Sequence, residues 1–108
     1  MTVSKAANED SVGTRPYDVV NYLSTPEDRA GYLDAWFEEA PDDIKGISRA
    51  LGDLSRAQGM TRVAAESGLS RESLYRSLSA KGNPSFSTVM KVLNALGIRL
   101  RAEPMNSG

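Results

Sequence analysis

The chain has 108 residues, of which 40% are hydrophobic and 25% are charged, as in an ordinary globular protein with one modest core. It contains no cysteine and no histidine, which excludes disulfides, Ser-His-Asp or Cys-His catalysis and the commonest zinc sites. No apolar run approaches the roughly 20 residues that cross a bilayer, and the N-terminus lacks a secretory signal. We therefore expect a cytoplasmic protein that is not an enzyme and has no metal, no cofactor and no membrane partner.

The formal net charge of −1 conceals two halves of opposite sign. Residues 1–43 contain ten acidic and three basic side chains, whereas residues 44–101 contain ten basic and three acidic ones. A basic half favours nucleic-acid binding, because contacts with phosphates release counterions. An acidic half repels DNA and suits a basic protein partner, although two solvated surfaces would show the same pattern.

The first part of the chain divides into a tail and a helical segment. Residues 1–15 are small, polar and without periodicity, which predicts a flexible N-terminal tail. Residues 16–43 are predicted to form an acidic helical segment, with a short turn beginning at Asp18. A helix then follows Thr25, which is typical of an N-cap, and Pro26 suits its first position.

Aromatic residues dominate the apolar stripe of that helix. Tyr32, Leu33, Trp36 and Phe37 recur at helical spacing, and core packing is their simplest interpretation. An alternative is that some of them anchor a partner, as exposed aromatic residues often do in interfaces. Acidic neighbours would then complement a basic surface, which gives a candidate partner-binding set: Trp36, Phe37, Glu38 and Glu39.

Residues 44–103 are predicted to form a DNA-binding domain of short helices. The helices run from about residue 44 to Gly59, from 61 to 67, from 70 to 79, and from an N-cap at Ser85 to Gly97. Apolar residues three or four apart give the first and last of these helices one buried face each: Ile44, Ile47, Leu51 and Leu54, then Phe86, Val89, Met90, Leu93 and Leu96.

The last segment, IRLRAE (98–103), alternates apolar and charged residues, which is a strand pattern. A single strand leaves its backbone groups without partners, and no second strand is evident in the sequence. We therefore predict that Ile98, Leu100 and Ala102 pair with the same strand of a second copy in a homodimer. The predicted fold is all-α, with five to six helices and this short C-terminal strand.

The stretch VAAESGLSRESLYRSLS (63–79) is typical of two short helices joined by a tight turn, as in a helix-turn-helix. Ala64 is small where the helices cross, and Gly68 tolerates a positive φ at the turn. If Leu74 and Leu78 face the core, helical geometry turns one set of side chains outward together: Arg71, Glu72, Tyr75 and Arg76. We interpret this set as base-reading, because arginine pairs with guanine and glutamate accepts from the cytosine amino group. The alternative is an ordinary solvated helix face.

Polar residues on either side of this face are candidates for contacts with DNA phosphates. A helix N-terminus and small hydroxyl or basic side chains suit such contacts. For the loop KGNPS, ordinary turn chemistry explains the same residues equally well. The candidate set is Thr61, Arg62, Ser79, Lys81, Asn83 and Ser85.

The sequence GMTRVAAESGLSRESLYRSLSAKGNPSFSTVMKVLNALGI resembles the helix-turn-helix of the Cro/CI (Xre-type) repressors. With YDVVNYLSTPEDRAGYLDAWFEEA upstream, nearly the whole chain resembles the addiction-module antidote proteins, a HigA-like antitoxin group. Two residues depart from the repressor pattern: Ser67 stands where an apolar residue is usual, and Thr61 replaces a frequent glutamine.

This resemblance implies a bacterial cytoplasmic antitoxin. Such proteins bind and neutralise a RelE/ParE-like toxin and repress their own operon by binding operator DNA. Two alternatives stay open: a stand-alone Xre-type repressor without a toxin, and a protein-interaction module that has lost DNA binding. The first would bind DNA without a protein partner, and the second would bind DNA neither selectively nor with a strong salt dependence.

Overall fold

The structure, a computed structural model, describes residues 19–79 and 81–105. This part of the chain forms a short 3-10 helix and five α-helices, which confirms the all-α prediction. The predicted tail (1–15) and the predicted start of the first turn at Asp18 lie outside the described residues. In chain order the elements are the 3-10 helix Val19–Tyr22, α1 Pro26–Glu39, α2 Ile44–Gln58, α3 Met60–Ser67, α4 Arg71–Ser77 and α5 Phe86–Leu96.

Local capping contacts define where several helices begin and end. The hydroxyls of Thr25, Ser70 and Ser85 each accept a hydrogen bond of 3.0 Å from the backbone N–H three residues later. Gly68 and Gly97 follow α3 and α5 in the left-handed conformation, with φ of 80° and 74°. The predicted caps at Thr25 and Ser85 and the predicted helix end at Gly97 are confirmed.

Helix α2 lies at the centre of the fold and contacts the 3-10 helix and every other α-helix. Its Leu51 and Leu54 are buried, together with Leu33 of α1 and Leu93 of α5. The acidic and basic halves of the chain therefore share one hydrophobic core. Its buried members are Leu23, Leu33, Leu51, Leu54, Met60, Val63, Ala64, Leu74, Leu78, Val92, Leu93, Ala95 and Leu96.

Two contacts attach α1 to α2. Gly46 lies directly against the Trp36 ring, so that a Cβ at this position would collide with the ring. Tyr32 Oη donates to Asp53 Oδ2 at 2.9 Å, and Asp53 Oδ1 accepts from Arg56 Nη2 at 2.9 Å. Burial, followed by the negative charge of Asp53, raises the pKa of Tyr32 to about 12. The phenol therefore remains a hydrogen-bond donor throughout the neutral pH range.

The apolar faces of α2 and α5 are shorter than their sequence patterns predicted. Ile44 is 55% exposed and Phe86 is 75% exposed, although both were expected to be buried. Each is the first residue of its helix, and its side chain is left largely uncovered by the rest of the described fold. Met90 is also partly exposed, at 39%. Periodicity identifies the apolar face of a helix but not where its neighbours end.

The C-terminal residues 98–105 have no regular secondary structure in this single chain. The Ile98 N–H donates to the Leu93 carbonyl, and the Ile98 side chain packs against the core. Leu100 and Ala102 are exposed. The predicted strand therefore has no partner within the described residues, and it stays a prediction that depends on a second chain. None of the described helices is long and apolar enough to span a membrane.

Candidate nucleic-acid interface

Helices α3 and α4 are joined by a turn of three residues, 68–70. At this turn the N–H groups of Gly68 and Leu69 both donate to the Ala64 carbonyl, at 3.0 and 3.2 Å. Gly68 has a φ of 80°, a left-handed conformation that strains residues with a Cβ. Ala64 is buried beside the turn, and Leu69 packs against the core as expected. The turn thus ends α3 and redirects the chain into α4.

Ser67 contributes to this turn in a way that the sequence analysis missed. Its hydroxyl donates to the Ala64 carbonyl at 3.2 Å and accepts from the Leu69 N–H at 3.3 Å. A serine immediately before a turn glycine is a recognisable signal for such a contact, because its hydroxyl can bond to nearby backbone groups. The departure of Ser67 from the apolar pattern is therefore compensated by hydrogen bonds across the turn.

Two leucines orient α4 on the protein. Leu74 is fully buried and Leu78 is 4% exposed, so that this side of the helix faces the core. The side chains at the other positions then point away from it by helical geometry. The structure places all four candidate base-reading residues among the exposed ones: Arg71, Glu72, Tyr75 and Arg76.

The exposed face of α4 contains one internal contact. Arg71 Nη2 donates to Tyr75 Oη at 3.3 Å, and the Arg71 Cζ lies 5.6 Å from the centre of the Tyr75 ring. The two residues are four apart, which places them one above the other on the helix surface. The side chains of Glu72 and Arg76, by contrast, have no hydrogen bond or ion pair to any residue that the structure describes. Their polar groups are available to a ligand.

A cleft of about 230 Å³ separates α4 from α2. Tyr75 lies on the α4 side of this cleft, and Arg49 and Asp53 lie on the α2 side. Gly52 allows the close approach of the two helices, since a Cβ there would lie 3.1 Å from the Leu78 carbonyl oxygen. The sequence analysis did not single out this residue, although a glycine inside an amphipathic helix is a signal for a close approach. The full lining is Arg49, Gly52, Asp53, Arg56, Met60, Leu74, Tyr75, Leu78 and Ser79.

The candidate phosphate-contacting residues precede and follow the face of α4 in the chain. Thr61 and Arg62 lie in the first turn of α3, and Arg62 forms a 3.3 Å ion pair with Glu66 on the same helix. Ser79 donates to the Arg76 carbonyl at 3.1 Å just after α4. The Ser85 hydroxyl caps α5, so part of its hydrogen-bonding capacity is already used. All six candidates, Thr61, Arg62, Ser79, Lys81, Asn83 and Ser85, are exposed.

The candidate partner-binding residues lie at the C-terminal end of α1. Trp36 is half-buried against Gly46, whereas Phe37 is 37% exposed. Glu38 and Glu39 are exposed in the last turn of the helix, which contains no basic residue. Carboxylates at a helix C-terminus oppose the helix dipole, so this placement does not serve the stability of α1. Within the described part of the chain, no group of three or more acidic side chains is arranged to hold a metal ion.

Comparison with known proteins identifies the family. Residues 13–104 match the family model described as "Probable addiction module antidote protein". The chain belongs to this antidote family. Its members are neutralising and regulatory proteins, which confirms the prediction that the protein is not an enzyme. The predicted antitoxin identity is confirmed at this level.

The chain is also similar to a curated bacterial protein. The antidote is 42% identical over 89 residues to a Haemophilus influenzae protein described as "Uncharacterized protein". The alignment covers 82% of the antidote and 90% of the relative. No solved structure shows significant similarity to the antidote.

Proposed function

We propose that the antidote is a DNA-binding antitoxin that acts in the bacterial cytoplasm. It binds and neutralises a RelE/ParE-like toxin and represses its own operon by binding operator DNA. The observation that carries the DNA-binding part is the exposed, polar face of α4. The opposite side of this helix is anchored to the core by Leu74 and Leu78. Family membership carries the antitoxin part.

In this proposal, α3, the turn and α4 form a Cro/CI-like helix-turn-helix. The α4 face enters the major groove, where Arg71 and Arg76 donate bidentate hydrogen bonds to guanine and Glu72 accepts a hydrogen bond from cytosine. The exposed polar residues around α4 contact the phosphates, which positions the protein but does not select a sequence. The basic charge of residues 44–101 provides much of the affinity.

The DNA-binding form is proposed to be a homodimer on a palindromic operator. Two copies of α4 then reach successive major grooves, roughly 34 Å apart. Exposed Leu100 and Ala102 are available for pairing between the two C-terminal segments, with Ile98 already committed to the core of its own chain. Such pairing satisfies backbone groups that have no partner strand among the described residues of one chain.

Replacing Arg76 tests the base-reading face. Arg76→Ala is expected to weaken binding to the upstream operator by about 1–3 kcal/mol, because it removes a two-pronged base contact. Binding is measured by fluorescence anisotropy with the operator and with unrelated DNA. Arg76→Lys is the matched control, since lysine keeps the positive charge but cannot form the bidentate hydrogen bonds of a guanidinium. This variant should retain the affinity for unrelated DNA. Unchanged affinity of Arg76→Ala for both duplexes would contradict the proposed face.

The acidic end of α1 is the proposed toxin-binding surface. Exposed Phe37 supplies an apolar anchor, and exposed Glu38 and Glu39 complement a basic toxin. Trp36 packs against Gly46 and so attaches this end of α1 to α2. Co-expression of the tagged antidote with its genomic neighbours should recover a small basic protein in stoichiometric amounts. If no protein is recovered and operator binding persists, a stand-alone repressor is the better description.

A double charge reversal locates this surface. Glu38→Lys combined with Glu39→Lys is expected to slow toxin association by about tenfold or more, because it removes electrostatic steering. The free antidote should not be destabilised, since basic residues suit a helix C-terminus. Glu27→Lys, at the other end of α1, is the control and should leave association nearly unchanged. Surface plasmon resonance measures the rates, and equal rates for both variants would place the toxin elsewhere.

A further inference from the structure

Tyr75 is an exposed residue of α4 whose hydroxyl and ring both contact the same side chain, that of Arg71. Its side chain lines the cleft between α2 and α4, beside Leu74 and Gly52. Its hydroxyl accepts a hydrogen bond from Arg71, and its ring lies near the Arg71 guanidinium. It is nevertheless only half-buried, with 49% of its surface exposed. Tyr75 therefore lines the cleft and contacts the Arg71 guanidinium.

The contact with Tyr75 restricts an otherwise flexible side chain. An exposed arginine has many rotamers and loses that freedom when it binds a rigid ligand. The aromatic ring attracts the cationic guanidinium, and the hydroxyl adds a directional hydrogen bond. Both contacts favour the same position of Arg71, so the free protein already holds this guanidinium on the exposed face of α4.

The contact leaves Arg71 able to read a base. A guanidinium has five N–H donors, and the hydrogen bond to Tyr75 occupies one of them. A two-pronged contact with guanine requires two donors. Arg71 remains exposed, and within the described residues Tyr75 is its only side-chain hydrogen-bond partner. The contact with Tyr75 therefore orients Arg71 and leaves its guanidinium exposed on the face of α4 that is proposed to bind DNA.

We propose that Tyr75 is a positioning residue that sets the base selectivity of Arg71 through its ring and hydroxyl, and that it does not read a base itself. This inference rests on the DNA-binding function proposed above. It assigns Arg71, Glu72 and Arg76 to direct readout and gives Tyr75 an indirect role. The position that Arg71 reads in the operator should then be the position at which Tyr75 variants lose discrimination.

The experiment uses the full-length antidote and a set of operator duplexes, each with one base pair changed. The operator is first delimited by footprinting on the DNA upstream of the gene. Binding of the wild type, Arg71→Ala, Tyr75→Phe, Tyr75→Leu and the double variant Arg71→Ala with Tyr75→Phe is measured by anisotropy. Arg76→Ala serves as the control for a second operator position. Thermal unfolding of each variant shows whether it is folded, and Tyr75→Phe keeps the aromatic ring.

Arg71→Ala is expected to lose discrimination at one operator position by about 5- to 100-fold. Tyr75→Phe and Tyr75→Leu should lose discrimination at the same position by about 3- to 10-fold, with the larger loss for leucine. In the Arg71→Ala background, Tyr75→Phe should have no further effect. Discrimination at the position that Arg76→Ala affects should stay as in the wild type.

Three results would overturn the role of Tyr75: no change with either Tyr75 variant, an equal change in the Arg71→Ala background, or no positional effect of Arg71→Ala. Each of these requires that the wild type discriminates among the duplexes. A wild type that binds all duplexes alike would instead contradict the DNA-reading function, and the role of Tyr75 with it. If Tyr75→Leu does not fold, Tyr75→Phe and the double variant still decide between these results.

Discussion

Tyr32 shows how one side chain connects two helices of the antidote. Its hydroxyl donates to Asp53, 21 residues later, and Asp53 is held in turn by Arg56. Burial and the nearby carboxylate both disfavour the phenolate, which raises the pKa of Tyr32 from 10.0 to about 12. The contact therefore depends on the proton of Tyr32 and should weaken when that proton leaves.

The free energy of unfolding should report this dependence in alkaline solution. Because the pKa is higher in the folded state, the contribution of Tyr32 is fully present below pH 10.0 and is lost as the pH rises through about 12. Urea unfolding at a series of pH values across this range measures the loss. Tyr32→Phe has no proton to lose, so its stability should fall less steeply. Parallel declines for the two proteins would mean that Tyr32 has an ordinary pKa.

At the scale of the elements, the packing of α1 on α2 depends on the absence of a side chain at Gly46. A Cβ there would meet the Trp36 ring and the Asp43 carboxylate, which caps α2 by accepting from the Gly46 N–H. The Trp36 ring of α1 therefore occupies the space that a side chain at position 46 would need. The pattern of glycines in the sequence does not distinguish this position from Gly31, an exposed glycine within α1.

Alanine substitutions at these two glycines should have opposite effects. Gly46→Ala is expected to lower the free energy of unfolding by about 1–3 kcal/mol, because the added methyl group displaces Trp36 or the Asp43 cap. Gly31→Ala, with no atom within 4 Å of the added Cβ, should raise it by about 0.5–1 kcal/mol through helix propensity. Chemical denaturation measures both. A Gly46→Ala variant as stable as the wild type would show that α1 is not closely packed at this point.

At the scale of the whole molecule, the acidic residues 1–43 and the basic residues 44–101 both contribute to one hydrophobic core. Leu33 of the acidic half is buried in the same cluster as Val63 and Leu93 of the basic half. The acidic and basic halves of the chain therefore pack on the same hydrophobic core. Residues 99–105 follow this core without forming a helix.

Removing residues 99–108 tests the proposed pairing of two chains. The truncation keeps Ile98, which packs on the core, so the fold should be retained. We expect the shortened antidote to be a monomer at concentrations at which the full chain is a dimer, because the paired segments are lost. Analytical ultracentrifugation measures both, and circular dichroism checks the helices of the truncated form. A truncated protein that still sediments as a dimer would exclude this pairing.

The sequence by itself determined the all-α class, the helix ends at Thr25, Ser85 and Gly97, and the outward direction of the α4 face. These features could be predicted because capping contacts and helical periodicity act within three or four residues. The family, too, was recognisable from the sequence, and the match of residues 13–104 to the family model confirmed it.

The tertiary structure alone decided how the helices meet. It placed Gly46 against Trp36 and joined Tyr32 to Asp53 by a hydrogen bond. It also brought Tyr75 and Gly52 to the lining of the same cleft. It also left Phe86 exposed, where the apolar pattern predicted burial. The physical reason is the same in each case: these features depend on where a distant element packs, and a local pattern of residues contains no information about its neighbours.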